Sequence, residues 1–315
     1  MSDFFADLLL IVTPIFAVSS MTLVGLGNRP KDVVTPLRDL RFVAVALFAS
    51  FVFVPLFAWA VSRLFSLDDP FETGLMLVAT AAGAPFVVAF MRIAGGNLAL
   101  TAAVLVLQLV VTVNYMPIVL PIALGDDVDV DAPAIALNLS WTMLAPLVVG
   151  LIIRSWSARR SERLMPFFAP VATTSLVLVV VSTVLANLED ILDIFGEGAI
   201  LAALLVIVAA FLSGYLLGGR DPELRLVLGF ATSQRNVAAA MVVATQGFSD
   251  DPDVILMVVV TSLVSLAILF PLAFAFRSGE EAEVDMALRE IERRRGVVRG
   301  AGRRPFRLRR AQRKE

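Results

Sequence analysis

The chain has 315 residues, of which 58% are hydrophobic, a formal net charge of −2, and neither cysteine nor histidine. Soluble domains are about 45–50% apolar, so this composition excludes a water-soluble globular fold. The two missing residue types exclude disulfides, thiolate or imidazole metal sites and histidine proton relays. We therefore expect no metal site, no cofactor and no enzyme activity.

Apolar stretches of about 20 residues, the length that crosses a bilayer as a helix, recur along the chain. In chain order they are residues 4–26, 42–64, 73–93, 98–123, 134–154, 165–187, 198–218, 225–248 and 253–276. The connections between them are short, so residues 1–276 are predicted to form one membrane domain of an all-α polytopic protein with nine transmembrane helices. Residues 277–315 form a tail of different composition.

Basic and acidic residues alternate between successive loops. Arginine and lysine cluster after spans 1, 3, 5 and 7 and in the tail, whereas the other loops carry aspartate and glutamate. Cytoplasmic loops hold the excess of basic residues. The pattern therefore predicts a multi-pass protein of the cell (inner) membrane, with its N-terminus outside and its C-terminus in the cytoplasm.

Two of the predicted spans are interrupted near mid-depth. Residues 81–85 of span 3 are Ala-Ala-Gly-Ala-Pro, and residues 229–236 of span 8 are Gly-Phe-Ala-Thr-Ser-Gln-Arg-Asn. Proline and glycine favour a break, and a broken backbone in the membrane must be received by protein or by a water-filled cavity. The breaks lie five spans apart in oppositely directed helices, which is typical of the inverted repeats of a secondary transporter. The simpler alternative is a proline kink and a polar helix contact.

A lone cation lies within the second break. Arg235 is about ten residues into span 8, roughly 15 Å deep, and has no acidic residue at its depth. Together with two half-helix N-termini, this guanidinium would favour an anion. The alternative is that Arg235 caps carbonyls at the C-terminal end of the broken helix. The candidate substrate-binding residues are Arg235, Asn236, Gln234, Ser233, Thr232, Pro85, Thr101, Gln108 and Ser50.

Several motifs resemble those of the bile acid:sodium symporter family. They are residues 16–23 with 28–31, residues 50–59, residues 82–85 through 96–101, and the run 234–236, where that family carries a Gln-Asn pair. The resemblance covers approximately residues 1–276. It implies two inverted repeats that form a panel domain and a core domain, with two discontinuous helices crossing in the core. On this resemblance we expect the first helix of the first repeat to be absent, which leaves nine spans.

The resemblance also implies transport of a small organic anion with sodium, but the family's sodium ligands are largely replaced. The positions that correspond to them are Ser50, Val87, Val88, Thr101, Leu105, Ala231 and Arg235. Valine, leucine and alanine offer none of the hard oxygen ligands that such cations need. No carboxylate lies mid-span and histidine is absent, so no titratable group is available there for proton coupling. We therefore predict sodium-independent uniport or exchange, with Arg235 standing where bound sodium would supply positive charge. Conventional sodium-coupled symport remains an alternative, as does a channel or receptor on the same scaffold.

The tail carries most of the remaining arginines. Residues 279–295 place acids early and arginines late, which favours a helix, and the arginine-rich chain from residue 296 onward is predicted to be disordered. A basic segment on the cytoplasmic side attracts anionic lipid headgroups at about 1 kcal/mol per residue. We expect these lipids as partners of the tail, and we expect no nucleic acid.

Overall fold

A computed structural model describes residues 2–124, 140–186, 198–248 and 251–301, together with residues 133, 136 and 137. Within these ranges the regular elements are helices, and no strand occurs. The predicted acidic loops near residues 126–131 and 189–197 lie outside the described residues, as does the end of the tail from residue 302.

Helices follow one another with short connections along the described chain. In order they are α1 (Ser2–Gly27), α2 (Pro30–Val34), α3 (Leu40–Phe48), α4 (Val54–Phe65), α5 (Asp69–Thr80), α6 (Phe86–Ala94), α7 (Leu98–Leu124), α8 (Ala145–Trp156), α9 (Ala158–Ala186), α10 (Ala199–Leu217), α11 (Pro222–Ser233), α12 (Val237–Gly247) and α13 (Pro252–Ala301). A π-helical turn at Ala49–Phe53 joins α3 to α4, and a second at Ser140–Leu144 leads into α8.

The polytopic all-α membrane fold is confirmed. Among the described residues, five helices are long and apolar enough to cross a bilayer: Leu40–Phe65, Leu98–Met116, Ala158–Val179, Ala199–Leu217 and Asp253–Arg277. A sixth candidate is Ile11–Gly27 taken with Pro30–Arg38, which meet at a bend of 101°. The helices on either side of each break are shorter than a full span, and the total of nine spans stays a prediction.

The helices pack in two groups. Helix α1 lies along α8 and α9, and we call these three helices the panel. Helices α3–α7 and α10–α13 pack around one another, and we call them the core. One contact between the groups pairs Phe16 of α1 with Phe86 of α6, whose ring centroids are 4.7 Å apart.

Small residues permit close helix packing within each group, as is common in membranes. Gly25 of α1 faces Gly150 of α8, and a Cβ atom added to either would collide with the backbone of the other helix. In the core, a Cβ atom on Gly214 of α10 would collide with the carbonyl of Leu228 in α11. The contact at Gly214 sets how closely α10 approaches α11, the helix that leads into the second break.

Helix α13 continues past the predicted boundary between membrane domain and tail, because it runs from Pro252 to Ala301 without interruption. The division of the chain at residue 277 stays a prediction. The binding of anionic lipid by the tail is likewise untested.

Candidate functional site

Each predicted break interrupts a helix inside the core, which confirms the two discontinuous helices. Helix α5 ends at Thr80 and α6 begins at Phe86, and α11 ends at Ser233 and α12 begins at Val237. Gly83 in the first break has φ +83°, a backbone conformation that glycine adopts without steric cost. The first residue of each break is extended, with φ −88° and ψ 104° at residue 81 and φ −80° and ψ 108° at residue 234.

The two breaks meet at Asn236. Its backbone N–H donates to the carbonyl of Ala81 at 2.9 Å, and its side-chain Nδ2 donates to the carbonyl of Gly83 at 3.2 Å. Its Oδ1 accepts a hydrogen bond from the N–H of Ala239 at 3.2 Å and so caps α12. One buried amide therefore joins the breaks and starts the second half-helix.

The next helix after each broken pair supplies a hydroxyl to the break, α7 after α5 and α6, and α13 after α11 and α12. The Oγ1 of Thr112 in α7 donates to the carbonyl of Ala82 at 2.9 Å and accepts from its N–H at 3.1 Å. The Oγ of Ser265 in α13 donates to Oε1 of Gln234 at 3.2 Å. Thr112 thus pairs two backbone groups of the first break and Ser265 a side-chain oxygen of the second. Because unpaired polar groups are costly inside a membrane, these hydroxyls stabilise the broken segments. Thr112 and Ser265 were not among the predicted site residues.

Arg235 is 1% exposed, and its guanidinium is surrounded by backbone carbonyls. Nε donates to Val78 at 3.2 Å, and Nη1 donates to Thr232 at 3.2 Å. Nη2 donates to Ser50 at 3.1 Å and also to Ala79. We call these four oxygens the carbonyl cage. The ion pairs found among the described residues join other arginines to glutamates, and neither includes Arg235.

Three of the cage carbonyls come from helix C-terminal ends. Val78 and Ala79 lie in the last turn of α5, and Thr232 lies in the last turn of α11. Carbonyls in a last turn lack partners within their own helix and carry the negative end of the helix dipole. The carbonyl cage therefore carries partial negative charge, which a cation neutralises.

The fourth carbonyl belongs to the π-helical turn between α3 and α4. Pro55 has no N–H to offer to the carbonyls of Ser50 and Phe51, which precede it by five and four residues. Arg235 donates to the first of these carbonyls, and the hydroxyl of Tyr115 donates to the second at 2.5 Å. Pro55 was the sequence signal for this feature, whereas nothing in the sequence pointed to Tyr115.

Gln108 fills the space beside the carbonyl cage. Its Nε2 donates to the hydroxyl of Ser50 at 2.8 Å and to the carbonyl of Ala231 at 3.1 Å. The side chain is 1% exposed, and its Oε1 has no hydrogen-bond partner in the described part of the chain. A neutral donor thus occupies the carbonyl of Ala231, a position that the family resemblance aligns with a sodium ligand.

The structure buries all of the predicted site residues but does not bring all of them together. The residues at the crossing are Arg235, Asn236, Gln234, Thr232, Gln108 and Ser50. Pro85 is instead the residue that caps the start of α6. The hydroxyls of Thr101 and Ser233 donate within their own helices, to residues 97 and 229.

The contacts of Arg235 agree with the alternative in which it caps carbonyls at the C-terminal end of a broken helix. The contacts go beyond a cap on one helix, because the same guanidinium also donates to carbonyls of the other broken helix and of the π-helical turn. Direct binding of a substrate anion by Arg235 stays a prediction, as does substrate binding by the other residues.

The comparisons with known proteins agree on one family. Residues 14–194 match the family described as "Sodium Bile acid symporter family", a range that includes the first break and ends before the second. The "Probable sodium/metabolite cotransporter BASS1, chloroplastic" of Arabidopsis thaliana is 25% identical over 246 residues, covering 76% of this chain and 61% of that protein. The "Probable sodium/metabolite cotransporter BASS2, chloroplastic" of Oryza sativa subsp. japonica is 25% identical over 197 residues, covering 62% and 47%.

A bacterial relative is similar over a larger share of its own length. The "Uncharacterized protein YbaS" of Bacillus subtilis (strain 168) is 24% identical over 211 residues, covering 65% of this chain and 69% of that protein. The chain spans less of the two plant relatives, 61% and 47% of their lengths.

Proposed function

The chain belongs to the sodium bile acid symporter family, and from this premise we propose that it carries a small organic anion across a membrane without sodium coupling. Family membership makes the chain a transporter rather than an enzyme. The substrate class and the coupling are the proposed parts. The printed names of the plant relatives specify sodium/metabolite cotransport for those proteins.

The observation that carries the proposal is the occupation of the carbonyl cage by Arg235. The guanidinium donates to carbonyls of both broken helices and of the π-helical turn, which are oxygens that a bound cation would otherwise use. A second cation about 4 Å from the guanidinium would be repelled by about 4 kcal/mol at an effective dielectric constant of 20. Sodium and Arg235 therefore compete for the same place.

A tethered cation cannot couple transport to an ion gradient. Coupling requires that the ion bind on one side of the membrane and leave on the other, whereas Arg235 remains attached to the chain in every conformation. The amide of Gln108 supports the same conclusion, since it donates to the carbonyl of Ala231, a position that the family resemblance aligns with a sodium ligand. Uniport or exchange are the modes of transport that remain.

An organic anion is the substrate that the charges of the core favour. Arg235 is buried without an ion pair in the described part of the chain, and α6 and α12 both begin at the crossing with their positive ends. A cationic substrate would meet charge of its own sign there. We further propose that the protein lies in the cell membrane with a cytoplasmic C-terminus, whose basic tail contacts anionic lipid headgroups.

Sodium-coupled transport of the same substrate class is the second candidate, and the names of the plant relatives favour it. Counterflow of labelled carboxylates in proteoliposomes separates the two. With sodium replaced by choline at constant ionic strength, we expect the counterflow rate to be unchanged. A rate that falls to background in choline and returns with sodium would show that the ion is required, and the sodium-independent proposal would be wrong.

A further inference from the structure

An apolar groove lies on an exposed face of the panel, between α1 and α9. Its volume is about 470 Å³. The residues that line it are Pro14, Ile15, Val18, Ser19, Phe167, Phe168 and Val171. We call it the panel groove. The hydroxyl of Ser19 donates to the carbonyl of Ile15 at 2.6 Å, so the serine offers the groove no free donor. A hydrocarbon chain fits such a lining, and a charged group does not.

The panel groove opens toward the lipid rather than toward the core. On α1, Phe16 packs against the core helix α6, whereas Ile15 and Val18 in the groove are exposed. On α9, Val171 is exposed and Phe167 is 72% exposed. The groove is therefore separate from the crossing of the two breaks.

Two arginines lie on the groove side of α9, near the N-terminus of this helix. Arg160 precedes Phe167 by seven residues and Arg163 precedes it by four, and residues at these spacings share one face of a helix. Both arginine side chains are exposed, and neither ion pair in the described part of the chain includes them. Glu162, the acid between them, pairs with Arg154 at 3.2 Å. Positive charge is thus left at one end of the groove.

The dimensions of this face match one leaflet of a bilayer. From Arg160 to Val171 the helix rises about 17 Å at 1.5 Å per residue, close to half of a hydrocarbon thickness of about 30 Å. Trp156 at the end of α8 is 79% exposed, and tryptophan is enriched at the membrane interface. The two arginines follow it closely in sequence. They therefore lie at the level of the headgroups, and the panel groove lies in the hydrocarbon of the same leaflet.

We propose that the panel groove binds one phospholipid with an anionic headgroup. Its phosphate accepts hydrogen bonds from Arg160 and Arg163, and one of its acyl chains lies in the groove against Val18 and Phe167. Guanidinium groups match phosphate in charge and geometry, and basic pockets between membrane helices on the cytoplasmic side bind such headgroups. This site is distinct from the basic tail and does not depend on the transported substrate.

Lipid binding by the full-length protein in detergent, followed by native mass spectrometry, tests the headgroup. The probes are dioleoyl phosphatidylglycerol and dioleoyl phosphatidylcholine, which share their acyl chains. We expect tighter binding of phosphatidylglycerol. Arg160→Gln should weaken that binding about fivefold, and Arg160→Gln combined with Arg163→Gln should weaken it about thirtyfold.

Arg159→Gln is the matched control for the loss of charge. Arg159 is also exposed, but it lies about 100° around the helix from Arg160 and so away from the groove. This variant should bind phosphatidylglycerol as the wild type does. An equal loss of binding in Arg159→Gln and Arg160→Gln would show a general effect of surface charge and would overturn the inference.

Filling the groove tests the place of the acyl chain. Val18→Trp adds bulk inside the groove without a change of charge, and we expect it to weaken phosphatidylglycerol binding at least about tenfold, since a chain excluded from the groove loses the burial of several methylenes. Val177→Trp is the matched control, because Val177 is an exposed valine of α9 that does not line the groove. The control should bind as the wild type does.

Four other results would overturn the inference. They are equal binding of the two lipids by the wild type, wild-type binding by the double arginine variant, wild-type binding by Val18→Trp, and displacement of the lipid by an excess of soluble glycerol phosphate. A protein that dimerises through the groove and binds no lipid there would likewise overturn it, because the groove would then belong to a second copy of the chain.

Discussion

Truncation of Arg235 to alanine tests the carbonyl cage directly. The change leaves three buried carbonyls without a donor, those of Ala79, Ser50 and Thr232, whereas the carbonyl of Val78 keeps its bond from the N–H of Ala81. A buried polar group that loses its partner costs about 1–3 kcal/mol, so the three together cost about 3 kcal/mol at the lower end. Native proteins have a total stability of about 5–15 kcal/mol, and the variant should therefore unfold at a clearly lower temperature.

Free cations should restore part of the lost stability. The carbonyls of Arg235→Ala still carry partial negative charge, so sodium or methylguanidinium can bind where the guanidinium was. A ligand at 100 times its dissociation constant stabilises the folded state by about 2.7 kcal/mol. The assay is thermal unfolding of the purified protein in chloride salts of sodium, potassium, methylguanidinium and choline at one ionic strength. The wild-type unfolding temperature should be the same in sodium as in choline.

Arg159→Ala is the matched control for the loss of an arginine. Arg159 lies in the first turn of α9 with an exposed side chain, and neither ion pair found among the described residues includes it. Substitutions at such surface positions usually change stability by less than about 0.5 kcal/mol, so this variant should remain close to wild type in every salt. The reasoning about the cage would be refuted if Arg235→Ala unfolded at the wild-type temperature, or if it were destabilised and no cation raised its unfolding temperature above the value in choline.

Three further substitutions test the crossing, and thermal unfolding measures each. Asn236→Ala removes a helix cap and a bond between the breaks, so we expect the free energy of unfolding to fall by about 2 kcal/mol. We also expect the variant to lose counterflow activity, and a fully active variant would contradict this role. Thr112→Val should lower the free energy of unfolding by about 1–3 kcal/mol, because the N–H and the carbonyl of Ala82 both lose their bond to the hydroxyl. Thr173 is exposed, and Thr173→Val should leave the stability unchanged. Equal effects of the two substitutions would argue against a stabilising role of Thr112 at the first break. Gly83→Ala should cost about 1–2 kcal/mol or more, because φ is +83° and the new Cβ would lie 2.8 Å from a backbone nitrogen; an unchanged unfolding temperature would be inconsistent with this backbone.

The breaks could be predicted from the sequence because their signals are local. Gly83 and Pro85 disfavour a helix at their own positions, and the polar run around Arg235 is out of place in an apolar span. The partners of Arg235 could not be predicted in the same way. The carbonyls that it contacts across the core belong to residues 156 to 185 positions away, and a backbone carbonyl leaves no mark in the sequence.

Thr101 shows what a motif alone leaves open, the direction of a side chain. Its position in the motif suggested a place at the crossing, but its hydroxyl donates to the carbonyl four residues earlier at 2.7 Å. Threonine in a membrane helix commonly satisfies its hydroxyl in this way, so a polar residue type alone does not indicate the direction of its side chain. The amide of Gln108 instead donates to groups outside its own helix, and it does reach the site.

A fixed cation also changes the energetics of the empty carrier. The core without substrate carries the charge of Arg235, whereas the core with a monovalent anion is neutral at the crossing. Moving one charge through the whole membrane field costs about 2.3 kcal/mol per 100 mV, which is an upper limit for a partial movement. A membrane potential that opposes the movement of the charged, empty core should therefore slow its reorientation. The loaded core is neutral at the crossing and should reorient faster under the same potential. We expect exchange to exceed net efflux, and we expect only net efflux to depend on an imposed potassium diffusion potential. Exchange and net efflux with the same voltage dependence would show that the charge of Arg235 does not move with the substrate.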